Sequence, residues 1–397
     1  MRVLLTTESY LPYLSGVTVS VDSLARGLGA RGHEVMVLAP RPARGAKPQP
    51  VGSPGPAPRH AWLPSYQPPI VAPPGYRMPA PLLFPASVGL REARDFRPEI
   101  VHAHSPFVTG RIARRLAARL DVPLVFTHHT RFADYAHYLG PLARPGARLT
   151  DAYLRHFWTA CAAIVAPSED LAHDIRERLG EPYAHRVRVI PTGIDVAGIR
   201  GLAPIDPRAE AGWPADALVV ASVGRLAPEK SPEVVLEAVA VAAGQLPGLR
   251  LVVIGGGPSH ARLHARAGRP DLVGRVLLTG AVPRLEALAR LAGADLFLFT
   301  SRTETQGLVL AEALAAGLPV VTVEGPGVRD SVRDGIDGLV VPPEPADTLA
   351  HRLAGGIVSL ADPSRRAAMA ERAGGDADRF AVDRRVGQVA ELYESLR

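Results

Sequence analysis

Short apolar segments alternate with amphipathic helical segments along most of this chain, and the whole series occurs twice. Apolar side chains occupy both faces of each short segment, as in strands that are buried between two layers of helices. Alternating βαβ units of this kind predict doubly wound parallel sheets. The predicted strands of the first series are 2–7, 34–39, 99–103, 123–127, 162–166 and 187–190. Those of the second series are 217–223, 249–254, 275–279, 294–300, 318–323 and 338–341. Helices are predicted at 17–31, 107–120, 168–180, 231–245, 284–292 and 306–316.

The two series predict an α/β chain with two Rossmann-like domains. Because residues 191–195 separate the series, we place the first domain at 1–193 and the second at 194–375. Residues 376–397 have helical periodicity, and we expect them to pack back on the first domain. Residues 40–85 contain 15 prolines, which exclude an ordinary helix or central strand and predict a long irregular excursion from the first domain.

Composition narrows the class of protein. A chain of 397 residues is long enough for two domains with their own cores. The only cysteine, Cys161, excludes a disulfide framework and a cysteine-rich zinc module, and it suits a reducing compartment. The N-terminal segment becomes polar at Glu8, too early for a signal peptide, and no run of about 18 apolar residues is present. We therefore expect a cytoplasmic protein without a membrane-spanning segment.

The positive charge of the chain is confined to its first half. Residues 1–195 carry 23 basic and 15 acidic residues, a net +8, whereas residues 196–397 carry 22 and 24, a net −2. No nucleic-acid-binding motif accompanies this charge, so nucleic acid is not an expected partner. Only two basic residues are lysines, Lys47 and Lys230. Lys230 is the single lysine among the basic residues of 196–397, and it is therefore a candidate for a role that suits a compact ammonium group.

A phosphate site is predicted where the first strand of the second series ends. Ser231 followed by Pro232 marks the start of a helix. Arg225 and Lys230 therefore lie between the carboxyl end of strand 217–223 and a helix N-terminus, where open α/β sheets bind ligands. Two cations and the unpaired amides of a helix suit a diphosphate. Two solvated surface cations are the alternative interpretation.

Two glutamates eight residues apart mark a second candidate site. Glu304 lies in the turn after a predicted strand, and Glu312 lies in the helix that follows. Eight residues at the helical rise span about 12 Å, which suits two ends of one extended ligand and is too far for an acid/base pair acting on one bond. In the structural alternative, Thr303 and Gln306 form a capping box. Glu304 then complements the helix dipole and Glu312 is solvated.

These glutamates resemble the E-x7-E element of the retaining glycosyltransferases of glycosyltransferase family 4, which have the GT-B fold. Other segments fall in the order of that family's motifs: 190–195, 224–226 with Lys230, 254–258 and 334–339. The resemblance covers nearly the whole chain, and several motifs in order are more specific than any one of them. It implies two Rossmann-like domains that face each other across a cleft.

The resemblance implies a role for each matched position. Arg225 and Lys230 would bind the donor diphosphate, and the turn amides at Gly16 would meet the same phosphates. Without the resemblance, Gly16 indicates an anion-binding helix start or a tight turn. Glu312 would bind the ribose hydroxyls, and the base would lie near Val282. The donor sugar would be bound by Glu304 and the amides of Gln306, Gly307, Leu308 and Val309. These enzymes need no metal or other cofactor, so cations and helix N-termini would stabilise the departing diphosphate.

Two neighbouring strands of the first series have histidines at their ends: His102 and His104 at one, and His128 and His129 at the other. Four imidazoles could indicate zinc, but no acidic ligand accompanies them and we expect no metal. His102 fits a core histidine. The resemblance places the histidine that precedes a threonine near the anomeric centre, which is His129, with His128 as the alternative register. His129 and Glu304 are therefore the candidate catalytic residues, and His129 would orient or polarise the sugar without having to act as a base.

The segments around these motifs look like the branch of the family that glycosylates diacylglycerol and related membrane lipids. The residues predicted on the acceptor side are His104, Arg131, Asp134, Tyr135 and Tyr138, together with the proline-rich excursion. Basic residues with interleaved aromatic residues suit an anionic bilayer surface, and a solvated helix face is the alternative. The basic and aromatic set is Arg111, Arg114, Arg115, Arg119, Arg131, Arg144, Arg148, Arg155, Phe157 and Trp158.

The resemblance implies a retaining transfer of glucose or galactose from a UDP-sugar to a membrane lipid such as diacylglycerol, at the cytoplasmic face of the membrane. A GDP-mannose-dependent α-mannosyltransferase acting on phosphatidylinositol or another acceptor shares every donor-side residue and stays open. A sugar-nucleotide epimerase would need acid/base carboxylates at the anomeric side that the sequence does not supply. A non-catalytic nucleotide-sugar-binding protein is the alternative outside enzymes.

Overall fold

The computed structural model describes residues 1–46, 51–68, 75–80, 87–131 and 143–397. The chain forms two compact units, one made of Met1–Ile194 and Val382–Arg397 and the other of Asp195–Ala381. The strands are β1 (Arg2–Thr6), β2 (Glu34–Pro40), β3 (Arg59–Leu63), β4 (Ser65–Tyr66), β5 (Met78–Pro79), β6 (Ile100–Ala103), β7 (Leu124–Thr127), β8 (Ala163–Ala166), β9 (Val187–Val189), β10 (Leu218–Val223), β11 (Leu249–Ile254), β12 (Val276–Gly280), β13 (Leu296–Phe299), β14 (Val320–Val323) and β15 (Gly338–Val341). The helices are α1 (Gly16–Ala30), α2 (Val88–Asp95), α3 (Val108–Leu120), α4 (Ala143–Thr159), α5 (Glu169–Leu179), α6 (Val196–Arg200), α7 (Pro207–Ala211), α8 (Pro232–Ala243), α9 (His260–Ala267), α10 (Arg284–Ala292), α11 (Leu308–Ala315), α12 (Leu349–Ser359), α13 (Pro363–Gly375) and α14 (Val382–Ser395).

The first unit is built on a seven-stranded parallel sheet in the order β3-β2-β1-β6-β7-β8-β9. Strand β1 lies at its centre, where Leu5 is opposite Val37 on one side and His102 on the other. The residues of β1, β6 and β7 are almost all buried, because helices cover both faces of a doubly wound sheet. The strand order reverses between β1 and β6, and open sheets of this type bind ligands beside such a reversal.

The proline-rich excursion contains an element that its composition conceals. Strand β3 lies within it and pairs in parallel with β2 at the edge of the sheet. Its five residues include no proline, and the prolines at 58 and 64 stand on either side of it. An edge strand needs backbone partners on one side only, which is why such a segment tolerates prolines around it. The expected irregular excursion therefore includes one edge strand of the main sheet and the short antiparallel pair of β4 and β5. Residues 47–50, 69–74 and 81–86 lie outside the described part of the chain.

The second unit has a six-stranded parallel sheet in the order β12-β11-β10-β13-β14-β15. Its order also reverses once, between β10 and β13. The loops that follow these two strands hold the predicted phosphate site and Glu304. The topology therefore brings two motifs about 75 residues apart in the sequence to one edge of the sheet.

The chain returns to the first unit later than the sequence indicates. Residues 376–381 pack on the second unit, where Arg379 Nη2 lies 2.8 Å from the carboxylate of the fully buried Asp337. Helix α14 then begins at Val382 and packs on α1, with Val386 against Gly27. A β-carbon at Gly27 would come within 2.6 Å of Val386, so the absence of a side chain there permits this close packing.

Candidate active site

Lys230 and Glu304 meet where the strand order of the second unit reverses. Lys230 ends a one-turn 3-10 helix after β10, and Glu304 follows β13. The Lys230 Nζ and Glu304 Oε1 atoms are 2.6 Å apart, and each side chain is about three-quarters buried. Thr300 Oγ1 donates to the carbonyls of Lys230 and Ser231, at 3.2 and 3.0 Å. The two loops are thus tied together by both charge and hydrogen bonds.

Arg225 also lies beside a carboxylate. Its guanidinium is 3.1 Å from Glu229, whose side chain is almost fully buried, whereas that of Arg225 is about half exposed. Ser231 stands at the N-cap of α8 and Pro232 at its first position, as predicted, but the Ser231 side chain makes no capping hydrogen bond. Arg225 and Lys230 therefore flank this helix start with cationic groups that reach solvent.

Glu312 is paired with a residue that the sequence did not single out. The Arg284 Nη2 and Glu312 Oε1 atoms are 2.5 Å apart, and Glu312 is only 4% exposed. Glu312 is therefore not the solvated helix residue of the alternative interpretation. Arg284 opens α10, and the predicted base-contacting residue Val282 is half-buried in the turn just before it.

Helix α11 begins two residues later than predicted. Its N-cap is Gly307, whose φ of 72° lies in the left-handed region, and no side chain caps the helix. The capping box of Thr303 and Gln306 is therefore not formed, and that interpretation is wrong. Because the helix starts at Leu308, the amides of Leu308 and Val309 belong to the first turn, where amides have no acceptor within the helix. Gln306 is buried, and its carbonyl accepts a hydrogen bond from Ser331 Oγ at 3.1 Å.

Glycines allow the loops at this edge to pack backbone against backbone. Gly255, at φ 142°, lies so near Gly224 that a β-carbon would come within 2.0 Å of its carbonyl oxygen. Gly257 has the same relation to Leu226, at 2.4 Å. The loops after β10 and β11 are therefore held together by contacts between their backbones.

In the first unit, Glu8 occupies the reversal between β1 and β6. Its Oε1 accepts hydrogen bonds from the amides of Val108 and Thr109, the latter at 3.1 Å. Glu8 thereby caps α3, because Phe107 at the N-cap offers no side-chain acceptor. Burial raises the pKa of Glu8, and hydrogen bonds from the α3 start and the Ser105 side chain oppose that rise. The predicted anion site, Gly16, is the exposed first residue of α1, whose N-cap Ser15 accepts from Thr18.

Three of the four histidines form a stack. The ring centroids of His102 and His104 are 4.3 Å apart, and those of His104 and His129 are 5.2 Å apart. His102 is fully buried and bonded at both nitrogens, to Tyr393 Oη at 2.6 Å and Thr127 Oγ1 at 2.7 Å. His104 Nδ1 lies 2.9 Å from His129 Nε2. Only His129 of the three is more than marginally exposed.

The two possible registers of the catalytic histidine differ in their surroundings. His128 is buried between Phe126 and Trp158, with ring centroids 5.5 and 5.4 Å away. His129 is half-buried and bonded to His104. Burial lowers the pKa of His129 to about 4 and, with a smaller contribution from His129, that of His128 to about 3. Both imidazoles are therefore neutral near pH 7, and His129 is the one placed to meet a ligand.

The remaining acceptor-side residues divide into described and undescribed ones. Asp134, Tyr135 and Tyr138 lie outside the described residues. Arg131 is half-buried, and His104 is only 4% exposed, behind His129.

The aromatic residues of the predicted membrane surface belong to the core. Phe157 and Trp158 are each 1% exposed and pack against Phe126 and His128. They lie on the inner face of α4, so the prediction that they accompany the basic residues at a bilayer is wrong.

The basic residues of α3 lie on two faces. Arg114 packs toward α4, with Nη1 2.9 Å from His156 Nε2. Arg111, Arg115 and Arg119 instead line a groove between α2 and α3 of about 550 Å³ with an apolar floor. We call it the arginine groove, and its other lining residues are Ser87, Leu90, Arg91, Arg94, Val108, Ile112 and Leu116.

The arginine groove carries positive charge that its surroundings leave uncompensated. Of its five arginines only Arg94 lies within ion-pair distance of a carboxylate in the described ranges, 3.4 Å from Asp95. All five are exposed. Basic groups around an apolar floor are complementary to an anionic amphiphile, because the arginines suit its charged head and the floor suits its apolar chain.

None of the described helices is long and apolar enough to cross a membrane. Within the described ranges, no group of three or more His, Cys, Asp or Glu side chains is arranged to hold a metal ion.

Comparison with known proteins identifies the family. The sequence model of Glycosyltransferase Family 4 matches residues 14–197, and that of Glycosyl transferases group 1 matches residues 206–374. An alpha-monoglucosyldiacylglycerol synthase of Acholeplasma laidlawii is 30% identical over 85% of this chain and 84% of its own length. A GDP-mannose-dependent alpha-mannosyltransferase of Mycobacterium tuberculosis is 31% identical over 94% of this chain and 91% of its own. HepE of Anabaena, solved in complex with UDP and glucose, matches the fold with a TM-score of 0.71 at 20% identity over the full length of both chains. The two parallel-sheet Rossmann-like units follow one another along the chain as in GT-B proteins. This chain belongs to glycosyltransferase family 4 and is a glycosyltransferase.

Proposed function

We propose that this glycosyltransferase moves glucose or galactose, with retention of anomeric configuration, from a UDP-sugar to a membrane lipid such as diacylglycerol. The observation that carries the lipid acceptor is the arginine groove, in which exposed guanidinium groups surround an apolar floor on the first unit. The monoglucosyldiacylglycerol synthases among the relatives support the same acceptor class. In this proposal the protein binds peripherally at an anionic membrane surface.

The charged pairs of the second unit support the donor side of the proposal. Arg225 and Lys230 would bind the diphosphate, since both ammonium and guanidinium groups form strong charge-assisted bonds to phosphate oxygens. When phosphate engages Lys230, Glu304 is released to accept hydrogen bonds from the sugar hydroxyls. Arg284 holds one oxygen of Glu312, and the other would remain for the ribose. The first-turn amides of α11 would complete the sugar site.

The proposed reaction is a substitution on one face of the sugar. The acceptor hydroxyl oxygen bonds to the anomeric carbon as the bond from that carbon to the phosphate oxygen breaks, and the hydroxyl proton passes to the departing phosphate. Arg225, Lys230 and the α8 N-terminus would stabilise the developing charge. His129, neutral near pH 7, would orient the sugar. We propose that no metal ion is required, so chelation with EDTA should leave the rate unchanged.

The test is transfer from UDP-glucose or UDP-galactose to diacylglycerol in phosphatidylglycerol-containing vesicles, read by mass spectrometry of the lipid product. We expect a monohexosyl lipid in the α configuration and UDP release that depends on diacylglycerol. If no sugar is transferred and UDP release does not depend on diacylglycerol, the lipid proposal is overturned.

A second candidate is favoured by the mycobacterial relatives, which are GDP-mannose-dependent alpha-mannosyltransferases. Every donor residue assigned above would serve a GDP-sugar equally well, because the base is expected to be recognised through backbone groups near Val282. Thermal-shift measurements with UDP, GDP and their sugars separate the two donors. Stabilisation by GDP-mannose alone would favour mannosyl transfer.

A further inference from the structure

We propose that His104 is a positioning residue, which holds the ring of His129 in one orientation and one tautomer. This inference rests on the proposed function, in which His129 meets the donor sugar. It assigns His104 a different task from the acceptor contact expected from the sequence, because the ring is buried behind His129.

The first argument is the chemistry of the hydrogen bond. A neutral imidazole carries one donor nitrogen and one acceptor nitrogen. His104 Nδ1 and His129 Nε2 are 2.9 Å apart, so one of them must donate and the other accept. The location of the proton on one ring therefore determines the tautomer of the other. Loss of this bond would remove one constraint on the tautomer and on the ring orientation of His129.

The second argument is the contrast between His104, which directly follows β6, and His102, which lies within β6 and belongs to the same stack. His102 is bonded at both nitrogens, to Thr127 and Tyr393, as expected of a histidine that stabilises a core. His104 makes its ring bond only toward His129, and its Nε2 has no hydrogen-bond partner among the described residues. The ring of His104 therefore makes its hydrogen bond to His129 and none to a core residue that the structure describes.

The third argument is rigidity. The His104 ring is stacked between His102 and His129, with interplanar angles of 29° and 20°. Its backbone amide donates to the carbonyl of Thr6 on β1 at 2.8 Å. A ring held on both faces and at its backbone can transmit a fixed geometry to a catalytic neighbour.

The polar groups around the pair come from several elements. His104 also lines a cavity of about 40 Å³ with the hydroxyls of Ser20 and Thr192 and with Arg385 of α14. Such a volume holds a water molecule or two. The ring nitrogens of His104 have no hydrogen-bond partner among the described residues other than His129, so no second bond opposes the tautomer that the bond with His129 requires.

The kinetic test compares H104L with H104N. Leucine cannot bond to His129, whereas the amide of asparagine takes the position of Nδ1 and can. We expect H104L to lower kcat by about 10- to 100-fold through misplacement of His129, with the KM for the donor little changed. H104N should recover most of the activity. If H104L does not fold, H104Q is the second non-bonding variant, since its amide extends toward the position of Nε2.

The matched control is Tyr393→Phe. It removes a buried hydrogen bond of the same stack, that between Tyr393 and His102, without touching the pair. We expect Y393F to lower the midpoint of thermal unfolding and to leave kcat unchanged. An equal loss of kcat in Y393F and H104L would mean that packing alone is responsible, and would overturn the proposal.

A second readout is independent of turnover. In protein labelled with ¹⁵N-histidine, the nitrogen shifts of His129 should report one tautomer in the unaltered chain and in H104N, and a mixture in H104L. Unchanged shifts and unchanged kcat in H104L would overturn the role of His104. If the unaltered protein transfers no sugar, the proposed function fails, while the tautomer measurement still decides the role of His104.

Discussion

Each carboxylate of the E-x7-E element is held by one cation in the second unit. Lys230 holds Glu304, and Arg284 holds Glu312, so both side chains are paired and oriented before any ligand arrives. The two pairs differ in accessibility, because Glu312 and Arg284 are more deeply buried than Lys230 and Glu304. The less deeply buried pair, Lys230 and Glu304, is the one that a phosphate group can open, since part of its attraction is already screened by water.

Lys230→Met is the prediction at the scale of one residue. We expect the affinity for the donor nucleotide to fall by about 10- to 100-fold, because one charge-assisted bond to phosphate contributes roughly 1.5 to 3 kcal/mol. The stability of the unit should change by no more than about 1 kcal/mol, since the pair is partly exposed. Isothermal titration with UDP and GDP measures the affinity without turnover.

Arg262→Gln is the matched control for this measurement. Arg262 forms an exposed ion pair with Glu233 in the same unit, so its removal should leave nucleotide binding unchanged. Unaltered nucleotide affinity in K230M would contradict the assignment of Lys230 to the diphosphate.

The sequence located the charged residues of the site better than it located their partners. Arg225, Lys230 and Glu304 could be singled out because local turn and helix signals place them at a strand end. Glu312 could be singled out because it lies eight residues after Glu304, in the helix that follows. Arg284 could not, because its pairing with Glu312 joins segments 28 residues apart and leaves no local pattern. Glu8 escaped notice for the same reason, since it caps a helix about 100 residues further on.

Helix α3 illustrates how one element serves two purposes. Its arginines at 111, 115 and 119 recur every fourth residue and therefore lie along one stripe, which the structure places in the arginine groove. Arg114 lies off this stripe and contacts His156 of α4. The sequence prediction placed all four arginines on one basic surface. The packing of α2 and α4 on α3 shows that three of them line the groove, whereas Arg114 contacts α4.

At the scale of the element, the prediction concerns replacement of the three arginines that line the groove on α3. The triple change R111Q/R115Q/R119Q should weaken binding to phosphatidylglycerol vesicles by roughly 100-fold in about 0.1 M salt, since each cation near the surface contributes about 1 kcal/mol. Glutamine keeps the helix intact because its helix propensity is close to that of arginine. Co-sedimentation with the vesicles measures the change.

A second triple variant removes the same charge elsewhere. Arg262, Arg302 and Arg329 are exposed arginines of the second unit, and their replacement by glutamine should affect vesicle binding much less. Equal weakening by the two variants would assign the effect to net charge and contradict a specific role for the groove.

At the scale of the molecule, the two units differ in charge and in buried histidines. The first unit carries 26 basic and 17 acidic residues, and the second carries 19 and 22. His102, His104, His128 and His129 all belong to the first unit, and burial lowers the pKa of each. The second unit has no buried histidine among its described residues. The units should therefore respond differently to acid.

The prediction is that acid destabilises the first unit before the second. The unfolded chain protonates its histidines near pH 6.5, whereas the folded unit keeps His129 neutral to about pH 4 and His102 and His128 to about pH 3. Stability is therefore fully present above about pH 6.5 and falls as the pH is lowered, by up to about 1.4 kcal/mol per pH unit for each histidine. Below the folded-state pKa values the loss levels off.

Urea unfolding at about pH 7.5 and about pH 5 tests this dependence on pH. In a Trp213→Phe variant, the remaining tryptophans, Trp62 and Trp158, both lie in the first unit and report its unfolding alone. Their midpoint should fall at the lower pH, and circular dichroism should then show a second transition at higher urea. The same midpoint at both pH values would refute the prediction.

The architecture was predictable because its strands are buried on both faces. Continuous apolar runs such as 2–7 and 249–254 have few alternatives once helical segments alternate with them, and the strands fall within a residue or two of the expected bounds. Strand β3 was not predictable, since an edge strand is short and its flanking prolines favour a loop. Helix α11 starts later than predicted because Gly307, its N-cap, takes a left-handed conformation. A capping pattern in the sequence does not reveal this conformation.

The return of α14 to the first unit has a consequence for the order in which the protein is made. The apolar face of α14, including Val386 and Tyr393, belongs to the same core as β1 and α1. During synthesis this helix leaves the ribosome only after the whole second unit has been translated, so the N-terminal unit waits for its last core element while the unit that follows it can already fold. The nascent first unit therefore carries an uncovered apolar surface through the translation of 187 further residues, Asp195–Ala381. The half that starts first is completed last.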